Sequence, residues 1–413
     1  MRRAFLDNWA LFLGMTFLMV ANGLLVTLLT VRGAGLGFSD LTISLMQACY
    51  PAGALLGTAL APRLVDQVGH IRAFSALASL VSIAAILHLL TTDAWVWGGM
   101  RFLSGVCYPG MYVITESWLN AKSTNRIRAQ VLSIYYIIWQ AGPALGTAMV
   151  ALPDPSGNVL FGVVSILISL SIVPLLLSNN KAPDYEVPDR MPVRRLYRVS
   201  PMAVIGIFIN AIGVVAWFIT LPLYGLSLGM SAAQASGLLV VAMLSGAAVQ
   251  YPVGWLSDRT DRRLVILGLS VLSALASLWM LVDTSPARVT LGFALIAATS
   301  LPIYSLCAAH ANDQLKPGQV VAAAGAMLFL LNVGQVIGTL IGPNLLSLWD
   351  GRGLPALLLV CSLAVALVAV ARRVREEAPE DTGTLQAWGG GVAPQPGVFQ
   401  AEAWVSDEES REE

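Results

Sequence analysis

The sequence predicts an all-α membrane protein of twelve transmembrane helices, arranged as two pseudo-symmetric six-helix bundles. Three observations predict it. Of 413 residues, 56% are hydrophobic and only 12% are charged, with a mean hydropathy of +0.72. A soluble domain carries about 25% charged residues, so lipid must face much of this chain. Apolar runs of roughly 20 residues, the length a bilayer-crossing helix needs, recur along the whole sequence. Finally, a charged string between two such runs, Gly254-Trp255-Leu256-Ser257-Asp258-Arg259-Thr260-Asp261-Arg262-Arg263, has a degraded copy near residue 66.

The first run, 9–31, follows Arg2 and Arg3. It is too long for a cleavable signal peptide and leads into further runs, so it reads as a retained span. The second, 41–63, ends in the degraded copy of the charged string. Runs at 71–91 and 94–117 follow, the latter holding Arg101 and closing on Glu116. The fifth, 128–150, carries Gly142-Pro143, and the sixth, 158–178, completes a first bundle over 1–178. The connector 179–200 is proline-rich and basic at its end, as a cytoplasmic linker would be. A second bundle over 201–375 then holds runs at 201–224, 231–256, 263–283, 286–309, 319–347 and 353–371. The segment 376–413 is acidic and rich in Gly and Pro, the composition of a solvated, disordered tail, with partner binding as the alternative.

Charge fixes an orientation. With the N-terminus in the cytoplasm, cytoplasmic segments hold 20 of the 24 Lys and Arg, and the outer loops hold Arg32, Arg288 and Arg352. This is the asymmetry of the positive-inside rule, and it predicts a multi-pass protein of the cytoplasmic (inner) membrane with both termini cytoplasmic. Net charge is zero, so nothing points to nucleic acid. Cys49, Cys107, Cys307 and Cys361 all fall inside apolar runs and read as packing residues rather than metal ligands or disulfides. No cofactor or metal is expected.

Two markers repeat at similar offsets. Leu64 and Asp66 match Leu256 and Asp258, an offset of 192, and Gly142-Pro143 matches Gly342-Pro343, an offset of 200. Parallel repeats about an axis along the membrane normal are a known plan of secondary transporters, with the substrate site between the halves. On these residues the chain resembles the major facilitator superfamily over about residues 5–375. Its loop signature, Gly-x-Leu-x-Asp-Arg-x-Gly-Arg-Arg, is matched at 254–263 with Asp261 in place of the second Gly. The first copy departs further, with Pro62 for Gly and Gln67 for Arg. Glu116-Ser-Trp-Leu-Asn120 and His310-Ala-Asn-Asp313 resemble the bacterial YcaD-like branch.

The resemblance implies a gate between the bundles. Asp66 would face the start of span eleven near Gln319, and Asp258 the start of span five near Ala129. A carboxylate there is stabilised by the helix dipole and free N–H groups, and rocking the halves apart must break the contact. Ordinary loop solvation is the alternative. Gly69, Arg72, Arg126, Gly254, Arg259, Arg262 and Arg263 complete this gating set with Glu116 and Asp313, for which pairs such as Glu116–Arg72 and Asp313–Arg262 are expected. Gly142-Pro143-Ala144-Leu145-Gly146 resembles the core of the family's antiporter motif, but small residues also serve close helix packing, as Gly334, Gly338 and Gly342 do.

Arg101 is the one basic residue inside a span and should face a cavity or partner rather than lipid, unless it snorkels to the outer interface. It resembles the span-four arginine that the superfamily places near its transport path. Other candidates for a polar path are Asn22, Gln47, Tyr112, Tyr136, Gln140, Asn210, Trp217, Tyr304, Asn332 and Gln335. No Asp or Glu falls in the middle of a predicted span, so proton coupling would rest on Glu116, Asp313 or the solute itself. The expected partners are a small-molecule substrate, the lipid bilayer and, where transport is coupled, protons; a monomer suffices. The favoured function is secondary transport of a small organic solute, with proton-coupled efflux leading and import or facilitated diffusion open. The chain is not expected to be an enzyme. An intramembrane hydrolase around Ser104-Gly105 would need His88 or His310 as its base.

Overall fold

A computed structural model describes residues 2–122, 125–152, 158–177, 191–282, 285–316, 319–346, 348 and 351–375. Its elements are α1 (Arg2–Gly35), α2 (Asp40–Val68), α3 (His70–Leu90), α4 (Ala94–Lys122), α5 (Asn125–Ala148), α6 (Val159–Leu177), a short α7 (Val193–Val199), α8 (Pro201–Ser227), α9 (Ala232–Ser257), α10 (Arg262–Met280), α11 (Pro286–Asn312), α12 (Val320–Ile341) and α13 (Gly353–Arg375). Tight 3-10 turns follow α5 at Met149–Ala151 and α12 at Pro343–Leu345. Among the described residues, then, there are twelve long helices, one for each predicted span. Ten of them are long and apolar enough to cross a membrane, and α5 adds a shorter apolar stretch, Ile137–Ala151. The other, α4, is less apolar because it carries Arg101, Glu116 and a set of glycines and aromatics.

Local signals set the helix ends. Ser39 caps α2, its hydroxyl accepting from the Thr42 N–H at 3.2 Å. Ser231 and Gln234 form a reciprocal capping box at α9. The Asp93 carboxylate accepts from the N–H groups of Trp95 and Val96 at the start of α4. Between α2 and α3 stands the single residue Gly69, at φ +80°, which lets the chain reverse without a Cβ clash.

Packing repeats across the halves. The pairs α1–α5, α2–α4, α3–α6 and α1–α6 recur as α8–α12, α9–α11, α10–α13 and α8–α13. One apolar core joins α1 to α6, and two further clusters lie within the second set of helices. The halves meet through α2–α12, α5–α9 and α1–α8. Outward faces stay apolar: Leu90, Leu177 and Leu367 are each about 70% exposed, which suits lipid and not water. The predicted connector contains α7, whose Leu196 is fully buried, with Met191, in a core of the second half. The remainder of that connector, 179–190, and the predicted tail, 376–413, lie outside the described residues.

Candidate functional site

A cavity of about 870 Å³ lies between the halves. Its deep end is formed by Gln47, Arg101, Trp217 and Thr339, and its lining continues to Pro62, Glu116, Pro192 and Ala322. The latter set sits where α2 and α4 end and α12 begins. This face also holds the charged strings, so the cavity opens toward the charged face. At the opposite face the halves are shut: Asn344, just past α12, donates its Nδ2–H to Ser44 Oγ in the first turns of α2 at 2.9 Å.

The path candidates Asn22, Gln47, Arg101, Tyr112, Gln140, Asn210, Trp217, Tyr304, Asn332 and Gln335 all line this cavity. The side chain of Tyr136 lies outside the described residues. Several are already held in place. Gln47 donates to Val26 O at 3.0 Å and Thr30 Oγ1 at 2.8 Å, and Asn332 to Leu328 O at 2.9 Å. Sequence reading missed Tyr50, Trp139, Phe218, Gln250 and Phe329, which also line it. A helical signal existed for two of them: Tyr50 lies three residues from Gln47 and Trp139 three from Tyr136, each on its neighbour's face.

Arg101 does not snorkel. It is 1% exposed, its guanidinium carbon lies 4.5 Å from the centre of the Tyr50 ring, and its Nε and Nη1 have no hydrogen-bond partner.

Glu116 requires a correction. It does not pair with Arg72 at a helix end. α4 runs on to Lys122, because Trp118 and Leu119 are buried in the first-half core, and this carries Glu116 into the cavity wall. There it is 6% exposed, and its Oε1 accepts from the Tyr135 hydroxyl at 2.8 Å. Glu116 still stands in the last third of α4, so no carboxylate falls at the middle of that helix, and Glu116 remains a carboxyl group open to proton coupling.

On the charged face the second-half string forms a network. Arg262 donates from Nε to Asp313 Oδ2 at 2.7 Å, and from Nη1 to Ser257 Oγ at 3.0 Å and Asp258 Oδ1 at 3.2 Å. One guanidinium thus ties the end of α9, the start of α10 and the end of α11, and the expected Asp313–Arg262 pair is present. Arg259 lies over the Trp255 ring at 4.1 Å. The first half lacks this network among the described residues; there Asp66 is exposed and His70 packs edge-on against Trp118. Among the described residues, neither Asp66 nor Asp258 bonds to the start of α12 or α5. The side chains of Arg126 and Ala129 lie outside the described residues.

Asp261, the departure from the family's glycine, has a local purpose. It caps α10, accepting from the Arg263 backbone N–H at 2.9 Å and from its Nε at 3.1 Å. Burial pushes its carboxyl upward, but the Arg263 hydrogen bonds and charge outweigh this and hold it below the ordinary value of 3.8. A depressed carboxylate stabilises the fold above its unfolded value and loses that contribution as pH falls through the lower folded value. The stability difference between the native chain and Asp261→Asn should therefore be complete above about pH 4 and vanish well below it. Thermal unfolding of both proteins across pH 2 to 6 (roughly that window) checks this; a constant difference would refute it.

Ser104 and His88 do not meet as a nucleophile and base would. Ser104 Oγ donates to Met100 O at 2.8 Å, while His88 Nδ1 lies 2.6 Å from Ala84 O and its ring stacks on Phe161. Among the described residues no three His, Cys, Asp or Glu side chains cluster as a metal site would need.

The sequence matches the family described as Major Facilitator Superfamily over residues 11–299 and 204–405. It is 28% identical over 381 residues to an uncharacterized MFS-type transporter of Enterobacter sp. (strain 638), covering 91% of this chain and 97% of that relative. It is also 28% identical over 330 residues to the uncharacterized MFS-type transporter YcaD of Escherichia fergusonii, covering 79% and 85%. Among solved structures, the fold is similar to that of the nucleoside transporter NupG (D323A mutant), with a TM-score of 0.74 at 14% identity over 90% of this chain and all of that one. It is similar too to a bacterial homologue of the human lysosomal transporter Spinster in an inward-facing, occupied conformation, with a TM-score of 0.71 at 15% identity over 92% and 99%.

Proposed function

Because the chain belongs to the major facilitator superfamily, we propose that this membrane transporter is a secondary active one. It carries a small organic solute across the cytoplasmic (inner) membrane by alternating access, as proton-coupled efflux. The observation that carries this reading is the cavity, walled by both halves, open at the charged face and shut at the other by Ser44 and Asn344. The excess of Lys and Arg on the charged face supports a cytoplasmic position for that face and for both termini. The conformation is then inward-open. In that state a clasp between Asp66 and α12, and between Asp258 and α5, is released, and Asp258 turns to Arg262 instead. Re-forming both clasps would close the cytoplasmic side and favour the outward-open state.

The division of labour follows the packing. Residues 1–178 and 201–375 are the two rocking bundles, joined by 179–200. Among the described residues lining the cavity Glu116 is the one carboxyl group, so it is the proton-carrying side chain of this reading.

Cross-linking tests alternating access. A thermal-shift screen of small organic solutes at two pH values identifies a ligand, which is then followed in proteoliposomes under an imposed pH gradient. In the double variant Ser44→Cys, Asn344→Cys, oxidation should tie the outer ends together and stop transport, and reduction should restore it. Transport at the native rate in fully cross-linked protein would overturn the reading.

A further inference from the structure

The residue left unexplained by transport alone is Arg101. A buried cation in a membrane span is costly unless paired, yet this one has two nitrogens, Nε and Nη1, with no acceptor. The titratable groups in electrostatic reach of it are Tyr50, Tyr108, Tyr112, Cys49 and His88, none of which is a carboxylate. Its environment is built, not accidental. Gly105 lies one helical turn along α4 from Arg101, and a Cβ there would strike the backbone carbonyl of Tyr50. The glycine therefore lets α2 approach until the Tyr50 ring covers one face of the guanidinium at 4.5 Å. The ring holds the cation flat while its hydrogen-bonding edge stays unfilled. Among the described residues lining the cavity Arg101 is the one cation, and it sits at the closed end.

We propose that the transported solute is an organic monoanion, an apolar body with one carboxylate, whose carboxylate docks on Arg101. This deepens the transport reading above and rests on it. The planar guanidinium offers paired donors that match a carboxylate. One uncompensated charge selects one negative charge: a dianion such as a phosphate monoester would leave a second charge unpaired in a low-dielectric site. The walls beyond Arg101, including Val26, Leu55, Phe218 and Phe329, suit an apolar body. The carboxylate enters first and reaches the deep end, about 10 Å along α4 from its start at Ala94. When the halves rock, that end becomes the outer mouth, and the anion leaves head-first. An inside-negative potential favours this direction, which agrees with efflux.

The test uses the full chain in lipid nanodiscs and four probes of one shape: 2-naphthoate, 2-naphthamide, 2-naphthyl phosphate and 2-naphthylmethylammonium. Binding is read by thermal stabilisation and by quenching of tryptophan fluorescence, to which Trp139 and Trp217 in the cavity wall contribute. Naphthoate should bind at least about tenfold tighter than the amide, the phosphate or the ammonium. Arg101→Gln should erase that preference, and Arg101→Lys, with its charge but no planar fork, should keep part of it. Size-exclusion profiles show that each variant is folded. An amide that binds as tightly as naphthoate, a naphthoate affinity unchanged in Arg101→Gln, or no response to any probe would each overturn the monoanion. None of these outcomes touches the cross-linking result, so a failed substrate class and a failed transporter reading give different records.

Discussion

Gly146→Val should cost the protein most of its folded yield. A Cβ at Gly146 would meet the Val20 carbonyl oxygen, with the Leu24 backbone nitrogen only 2.6 Å away. The obstacle is backbone inside a helix, so no rotamer change relieves it, and α5 must move off α1. The contact is also reciprocal: a Cβ at Gly23 would strike the Pro143 carbonyl, and one at Gly142 would lie 2.5 Å from Met19 Cβ. Overpacking a tight interface costs roughly 1–3 kcal/mol, and a branched side chain against fixed backbone belongs at the upper end. Membrane helices have little hydrophobic drive to hold them together and depend on such close approach. Gly162 in α6 provides the control, since a Cβ there has nothing within 4 Å. Gly162→Ala should melt with the native protein, while Gly146→Val should give a lower melting midpoint and less monodisperse material by fluorescence-detected size exclusion. Equal melting of Gly146→Val and the native chain would falsify the argument.

The same geometry accounts for the repeated glycines of the second half. Gly334 and Gly338 bring α12 onto the backbone carbonyls of Phe208 and Ile212 in α8, as Gly142 and Gly146 bring α5 onto α1. The packing repeat thus falls at the offset of 192 that also relates Asp66 to Asp258, and not at the offset of 200 that aligns Gly142-Pro143 with Gly342-Pro343. The Pro343 position does more than bend a helix: it opens a 3-10 turn that presents Asn344 to Ser44 across the halves. Nothing in a local sequence window shows that contact, because its partners are 300 residues apart.

What was legible follows from which physics is local. Hydropathy alone locates ten of the twelve long helices and part of α5, because each must satisfy its own backbone in lipid. Most path residues were legible too, since a polar side chain in an apolar run has few places to go. The failures are tertiary. Glu116-Ser-Trp-Leu-Asn120 has the composition of a helix end, yet Trp118 and Leu119 pack into the core and carry the helix past it. The helix α7 is seven residues, three of them arginine, whose burial of Leu196 only the folded second half supplies. Sequence reading misses Tyr50 as a cavity residue because only the close approach at Gly105, distant in sequence, brings it onto Arg101.

Glu116→Gln should abolish transport driven by a proton gradient while sparing downhill exchange of the same solute. Among the described residues no cation pairs with Glu116; its Oε1 accepts from the Tyr135 hydroxyl, and Tyr304 of the other half stands within electrostatic reach. A carboxylate so placed is expensive to keep charged without a counter-ion, which favours taking up a proton when the cavity is dry and releasing it when the mouth is wet. Glutamine keeps the size of the side chain and an oxygen that can accept from Tyr135, so the wall should stay intact. What it removes is the exchangeable proton. Accumulation against a gradient in proteoliposomes should fall by at least about tenfold, equivalent to roughly 1.4 kcal/mol of lost coupling, with counterflow within about twofold of native. Tyr135→Phe separates the two roles: it deletes the hydrogen bond but not the acid, so it should shift the pH dependence of transport and leave coupling in place. A Glu116→Gln protein that still concentrates solute against a gradient would assign the proton to the solute itself, and with it the coupling.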